Sequence, residues 1–445
     1  MRHRRSLILA VLLGLLVPLI AACGGGTPAA APTAAPAAGA TAAPAPVAGG
    51  GGTMEVEPNA VLRVTSWGDA AEQKINTDSF ARFNALYPNV KIEYQPQASD
   101  YQTKLKADAA GNTLADVFYL DSGLMTAFGP ENILLDLTPG LQAGGVTLDS
   151  YAPALLQLFQ RDGKTYGLPK DFNPLVLFIN NEKAQAAGVD PTSITTWEAW
   201  RDAATKMTTG EGNSKVFGMC MQADAQRFGA LMLQQGINIV DGKTVNFTDP
   251  KAIEAVNFWY SFYKDGHGQL PKELGADWCG QAFGEGKVGM TLEGGWMVPY
   301  LAKDFNDVQY TALALPTPPN GDRSSLLFTN AWAASAKTAY PKAAAALVLF
   351  LTSPENQRPI LDVGFALPTH NTVLKDPAAQ SNPTTKVLLQ AAEYGKVSDI
   401  AFGGAAKDDV LKALNTNVEA AFLGQAELSK ALETAQAEAQ AALNK

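Results

Sequence analysis

The stretch "VLRVTSWGDAAEQKINTDSFARFNALYPNVKIEYQP", residues 61–96, decides the fold. From Val61 to Trp67 apolar and polar side chains alternate, which is the period of a half-buried strand. The polar stretch that follows leads into a helical pattern ending in "FARFNALYP", closed by Pro88, and "VKIEYQP" reads as a second strand. Downstream, "SDYQTKLKADAAG" reads as a helix capped by Ser99 and stopped by Gly111, and "ADVFYLDS" as a third strand. Strand, helix, strand, helix, strand implies an α/β fold built on a parallel sheet with right-handed crossovers.

Further along, "DGKTYGLPKDFNPLVLFINNEKAQAAG" (162–188) runs from an Asp162-Gly163 turn through Pro169 and Pro174 into another apolar strand. "TWEAWRDAATKMT", "DPKAIEAVNFWYSFYKDG" and "YPKAAAALVLFLTSPENQ" carry helix start and stop signals, and "QAELSKALETAQAEAQAAL" reads as a surface helix. Two proline-bearing strands, near 168–176 and 310–319, look like crossings between domains. They divide the body into one lobe of 59–172 plus 313–362 and a second of 173–312 plus 363–445.

Residues 286–297, "GKVGMTLEGGWM", alternate through Val288, Met290 and Leu292 and then break on Gly294 and Gly295 ahead of Trp296. A large aromatic at the mouth of a strand either fills core or faces a ligand.

The chain opens with Arg2, Arg4 and Arg5, runs apolar from Leu7 to Ile20 and reaches small residues, the pattern of a secretory signal peptide over 1–22. Ile20-Ala21-Ala22-Cys23 resembles a bacterial lipobox, which implies acylation at Cys23 and stable anchoring on a membrane surface. Residues 23–58 are mostly Ala, Pro, Gly and Thr, with no apolar period to bury, and read as a tether. These features imply a body on the extracytoplasmic face of the cell membrane.

The net charge is −9, and loss of the three leader arginines takes it to −12. An acidic body without a basic patch argues against nucleic acid as a partner. Of three histidines, His3 lies in the leader, while His267 and His370 lie far apart, which weakens zinc sites and Ser-His-Asp catalysis together. No metal or cofactor is expected. Cys220 and Cys279 are either a disulfide or two buried thiols.

"GEGKVG" (284–289) matches G-x-G-x-x-G, but a helix-like "CGQAF" precedes it and a strand follows, the reverse of a dinucleotide site. "DGKT" at 162–165 and 241–244 lacks the upstream glycine of a phosphate loop, so both read as turns. Asp69, Asp121, Asp171 and Glu293 are available to a glycosidase, but no spacing singles out an acid and its partner.

"SWGD", "DYQTKLKADAAGNTLADVFYLDS", "LLDLTPGL", the 162–190 stretch, "TTWEAWRDAATKMT", "AFGEGKVGMTLEGGW", "ALALPTPPNG" and "AALVLFLTSPENQ" occur in that order. Together, behind a lipobox, they resemble the extracellular solute-binding proteins of carbohydrate ABC transporters, the maltose-binding-protein-like class, over nearly all of 60–445. The resemblance implies a two-lobe periplasmic-binding-protein-like fold with a hinge. Sugar would be held in the interlobe cleft and delivered by a monomer to membrane permease subunits, without chemistry.

A sugar offers an apolar C–H face and a rim of hydroxyls, so its site wants flat aromatics with carboxylates, amides or backbone groups around them. The resemblance aligns Trp296 with a sugar-stacking tryptophan of the second lobe, and Gly295 lets the backbone come close to the ligand. Glu293 stands beside them. Trp67 and Asp69 end the first strand as a stacking and hydrogen-bonding pair, with core packing the alternative for Trp67. Asp121 and Ser122 end the third strand, where Asp121 serves equally as a helix cap. Asp171 and Asn173 lie on the first crossing, either touching ligand or serving turn chemistry beside Pro174. Trp278 offers a second platform. Tyr101, Gln222, Trp332 and Phe402 complete the candidates, Trp332 equally suited to core, whereas Trp197, Trp200 and Trp259 sit at packing positions on helices. Two other readings stand beside sugar binding: the same fold holding a polyamine or peptide, and a secreted glycoside-active enzyme.

Overall fold

The computed structural model describes residues 54–444 other than Asp69, Ala98, Ser99 and Pro130. The leader, Cys23, the tether and the Ser99 cap lie outside the described residues. Twelve strands position the site, in chain order β1 (Val61–Thr65), β2 (Lys91–Tyr94), β3 (Val117–Asp121), β4 (Gly167–Pro174), β5 (Val176–Asn180), β6 (Phe217–Cys220), β7 (Gly268–Gln269), β8 (Val288–Glu293), β9 (Tyr310–Leu313), β10 (Ser325–Ala334), β11 (Leu367–Pro368) and β12 (Gly395–Val397).

They form two sheets. The first has the order β11-β4-β10-β3-β1-β2, with β12 paired to β10. Its β2-β1-β3 part is parallel, as the alternating strand and helix pattern requires, and β10 runs antiparallel to both β3 and β4. The second sheet has the order β7-β6-β8-β5-β9.

A single residue, Leu175, separates β4 in the first sheet from β5 in the second. The return passage differs from the sequence expectation. β9 ends at Leu313 within the second sheet, and Pro316, Pro318 and Pro319 lie in the loop before β10. That loop stays on the second lobe, where Trp197 N–H donates to Thr317 O (3.0 Å) and Asp322 N–H to Gln234 O (2.8 Å). The switch therefore falls next to Ser325 rather than at 313. The first lobe likewise runs past 362, because β11 pairs with β4.

Each lobe has its own core. In the first, the helix Ala70–Leu86 lays Phe80 and Phe83 toward the sheet, and Tyr119 and Trp332 meet it from β3 and β10. In the second, Trp197 stacks on Phe258 at 4.3 Å and Trp200 meets Trp259 and Phe262, so the helical tryptophans pack as their spacing indicates. The helix Leu428–Leu443 turns Leu428, Leu432, Ala435 and Ala439 into this core, against the helix Lys407–Phe422. "YPKAAAALVLFLTSPENQ" is two helices rather than one, Pro341–Leu351 and Pro354–Asp362, because Pro354 cannot continue the first. Both "DGKT" turns join short antiparallel pairs. Among the described residues no helix is long and apolar enough to cross a membrane.

Candidate functional site

The end of β8 builds the second lobe's contribution. Val288, Met290 and Leu292 anchor the strand in apolar surroundings, and the chain then turns through Gly294 and Gly295 into the helix Met297–Asp304. Both glycines are required by close approach: a Cβ on Gly294 would lie 2.4 Å from the Trp296 ring, and one on Gly295 would lie 2.7 Å from Asn173 Oδ1 and 2.8 Å from Phe365 O. Trp296 is half-buried, with its edge toward Phe328 of β10 at 5.9 Å.

Glu293 fixes that indole. Its side chain is wholly buried and accepts from Trp296 Nε1 (3.0 Å), Arg227 Nη2 (2.8 Å) and Gln222 Nε2 (3.1 Å). Burial raises the Glu293 carboxyl above its ordinary pKa, against the opposing pull of Arg227 and Trp296. The Arg227 guanidinium also lies 5.8 Å from the Trp296 ring centroid, a cation–π contact. Glu293 thus spends its oxygens on Trp296 and its neighbours, which corrects the expectation that it meets ligand directly. Gln222 is partly buried beside it, and its own carbonyl accepts from Trp259 Nε1 (2.8 Å).

In the first lobe, Trp67 follows β1 and stands edge-on to Tyr101 and Tyr119, each at 4.9 Å. Tyr101 donates to Tyr119 O (3.0 Å), and Tyr119 donates to Glu72 Oε1 (3.0 Å) and accepts from Asn76 (2.8 Å). Burial pushes both phenols well above their usual range, so both remain neutral donors. Asp69 lies outside the described residues.

At the end of β3, Asp121 accepts from Gln102 Nε2 at 2.5 Å, with Lys407 Nζ 3.9 Å away. Burial pushes its carboxyl up to about 7; Lys407 opposes the rise and Asp399 adds to it. The next residue, Ser122, donates to Asp399, whose Oδ2 also accepts from Gly123 N–H (2.9 Å). Asp399 in turn pairs with Lys407, and Lys106 of the first lobe pairs with Asp408 of the second. Ser122 is therefore engaged in an ionic contact between the first lobe and the 399–408 segment, at the wall of a cavity of about 230 Å³ that Gly123, Arg161 and Asp399 also line.

The hinge candidates are also internal. A bulge in β4 leaves Lys170 unpaired between Pro169 and Asp171, which oppose consecutive residues of β10. Lys170, 3% exposed, pairs with Asp171 and with Glu72 Oε1 (2.8 Å). Asn173 accepts from Gly295 N–H (3.0 Å) and donates to Phe365 O (3.3 Å), so it joins the Trp296 turn to the first lobe. Asp171 and Asn173 hold the crossing instead of presenting free groups.

Two further expectations are corrected. Trp332 is 2% exposed and packs on Tyr119 at 4.3 Å, and the void beside it holds only about 10 Å³, room for a water at most. Phe402 is fully buried and fills the space over Gly229, where a Cβ would come within 2.7 Å of its ring. Both are core. Trp278 is partly buried, covers Gly280 and pairs with Tyr300 at 4.7 Å. Cys220 and Cys279 form a disulfide that ties the end of β6 to the helix Cys279–Gly284. Arg227 beside Glu293, Gln102 beside Asp121, Phe328 beside Trp296, and Asn330 opposite Asp121 and Asp171 are further candidates that sequence reading missed. Among the described residues no cluster of His, Cys, Asp or Glu is suited to hold a metal ion.

The model of a family described as bacterial extracellular solute-binding protein matches residues 78–387. The galactooligosaccharide-binding protein of Bacillus subtilis (strain 168) is 22% identical over 343 residues, 74% of this chain and 78% of that one. The maltodextrin-binding protein MdxE of the same organism is 23% identical over 315 residues, 68% and 72% of the two chains. Among solved structures, the ABC substrate-binding protein Lmo0181 from Listeria monocytogenes in complex with cycloalternan superposes with a TM-score of 0.77 at 19% identity, covering 87% of this chain and 99% of that chain. With two sheets joined at Leu175 and a family match over most of the described residues, the chain belongs to the bacterial extracellular solute-binding proteins.

Proposed function

We propose that this protein captures a mono- or oligosaccharide between its two lobes and delivers it to the permease of an ABC importer, without chemical change to the sugar. The body works from the extracytoplasmic face of the membrane, held there as a monomer by acyl chains on Cys23 and the 23–58 tether. The observation that carries this reading is the fixed indole of Trp296, oriented by Glu293 and backed by Arg227. With Trp67 at the end of β1, it gives each lobe an aromatic surface of the kind a pyranose C–H face packs against. The first lobe takes the sugar, the hinge closes as a rigid-body motion, and Trp296 completes the enclosure.

The charges favour a neutral ligand over a polyamine. Glu293 is matched by Arg227, while Lys170 is shared by Asp171 and Glu72 and Lys407 by Asp399 and Asp121, and burial raises the Glu72 and Asp121 carboxyls toward their uncharged forms. A polyamine needs carboxylates that the protein has not already neutralised. The test is calorimetric titration of the full chain in detergent with maltotriose, mannotriose, a galactotriose and spermidine, at two salt concentrations. Saturable, salt-insensitive binding of a saccharide is expected, with Trp296→Ala weakening it by at least about 30-fold, the loss typical of a central aromatic anchor. Silence toward every saccharide, with salt-sensitive binding of spermidine, overturns the reading.

A further inference from the structure

The first sheet carries a row of polar side chains that the residues discussed so far leave incomplete. In the ladder, Asn330 of β10 stands opposite Asp121 of β3 on one side and Asp171 of β4 on the other. Directly opposed residues of antiparallel strands project from the same face, about 5 Å apart, so Asp121, Asn330 and Asp171 form one line across three strands. The two outer members are engaged, Asp121 by Gln102 and Asp171 by Lys170. The middle one is not. Asn330 is 9% exposed, and its Oδ1 is buried with no hydrogen-bond partner among the described residues. Beside the row, Gln102 gives its amide nitrogen to Asp121, and its Oε1 too is buried without a hydrogen-bond partner among the described residues.

The position of the row gives these two oxygens a purpose. Along β10, Phe328, Asn330 and Trp332 share a face at steps of about 7 Å. Phe328 touches Trp296 of the second lobe, while Trp332 touches Tyr119, which in turn touches Trp67. Asn330 therefore lies on the strand between the contact that leads to one aromatic platform and the contact that leads to the other. A buried amide oxygen without a donor is an unfavourable element in a folded protein, and native structures keep one where a ligand or water completes it.

We propose that Asn330 is a specificity-determining residue of the saccharide site, its Oδ1 accepting a hydrogen bond from a sugar hydroxyl, with Gln102 Oε1 accepting a second. The inference rests on the saccharide reading above. Two acceptors beside two occupied carboxylates select a ligand that presents O–H groups to this face, and they disfavour one that presents ether or carbonyl oxygens there. A site built to hydrogen-bond a hydroxyl rejects the analogue that lacks it.

The experiment compares wild type and Asn330→Ala as full chains, measuring dissociation constants for maltotriose, mannotriose and a galactotriose, and for monodeoxy analogues of the tightest binder. The melting temperature of each ligand-free protein is recorded alongside. Because Oδ1 accepts from no group among the described residues, the ligand-free melting temperature is expected to stay within about 2 °C of wild type, while saccharide affinity falls about tenfold or more. One deoxy analogue that wild type rejects should bind the variant as well as the parent sugar does. If Asn330→Ala melts early, Asn330→Leu, closer in volume, carries the same comparison. Wild-type saccharide binding that Asn330→Ala and Asn330→Leu leave unchanged, with deoxy discrimination intact, overturns this inference and spares the saccharide reading. Absence of saccharide binding by wild type overturns both.

Discussion

Replacing Glu293 by alanine removes the acceptor of three hydrogen bonds from a site with no solvent to substitute for it. Among the described residues the Arg227 side chain, 14% exposed, then keeps as an ionic partner only Asp224, 3.9 Å away and already capping the helix Ala225–Gln234 through Gln226 N–H, beside its contact with the Trp296 ring. Breaking a buried ion pair by deleting one partner costs about 3–5 kcal/mol, and the remaining Asp224 contact places this case near 3 kcal/mol. At an m-value of about 3 kcal/mol per molar urea, the midpoint falls by about 1 M. Urea unfolding followed by circular dichroism measures that shift directly. Glu293→Met combined with Arg227→Met removes both charges and fills the space, so most of the stability should return, with a coupling of about 1.5 kcal/mol or more. Saccharide affinity should not return with it, because the Trp296 Nε1–H still lacks its acceptor and the ring has lost its guanidinium. Two results refute the reasoning: a Glu293→Ala midpoint equal to wild type, or a double variant that binds as wild type does.

Reduction of the Cys220–Cys279 bridge, which closes a loop of sequence separation 59, should lower stability by about 2–4 kcal/mol, read as a lower urea midpoint in dithiothreitol and absent in Cys220→Ser/Cys279→Ser. The Asp121 carboxyl has a folded-state pKa of about 7 against 3.8 unfolded, so the folded state holds its proton more tightly and stability falls as pH rises from about 4 to 7, then levels. Asp121→Asn should flatten the thermal midpoint across that window and raise it at pH 8; a variant whose midpoint keeps the wild-type slope shows that another group sets it.

What could be read from the sequence was local. The period-two strands of 61–67 and 115–122, with the two helices and the strand β2 between them, specify the parallel β2-β1-β3 core, and the Gly-Gly step before Trp296 marks a backbone with no room for a Cβ. Trp332 shows where local reading stops. It shares a strand face with Phe328 and Asn330, and alternation alone gives all three the same surroundings; Tyr119 of β3 and Phe80, from a helix 252 residues earlier in the chain, close the space over Trp332. Arg227 was missed for the same reason, since its partner Glu293 is 66 residues away and neither neighbourhood marks a charge for burial. The Lys170 bulge, which brings adjacent basic and acidic side chains to one buried cluster, exists only as a mismatch against β10. Each miss concerns what a distant segment covers or neutralises, and each miss falls near the candidate site.

That pattern bears on how the site discriminates. A carboxylate buried beside its own basic partner presents little net charge to a ligand, and the desolvation of both groups has been met during folding rather than at binding. Glu293 with Arg227 and Asp171 with Lys170 fit this description, one pair in each lobe. The pairs then act as rigid supports, Glu293 for the indole of Trp296 and Lys170 against the ring of Tyr119 at 4.8 Å. Aromatic surfaces held in this way lose little conformational freedom when a ligand arrives, so their contact area converts more fully into affinity. On the saccharide reading, discrimination among neutral ligands then falls to polar atoms that folding leaves unmatched, among them the amide oxygens of Asn330 on β10 and of Gln102 on the helix Tyr101–Ala110. On that reading Glu293 and Asp171 work one step behind the ligand, setting the geometry within which uncharged amides and aromatic faces select it.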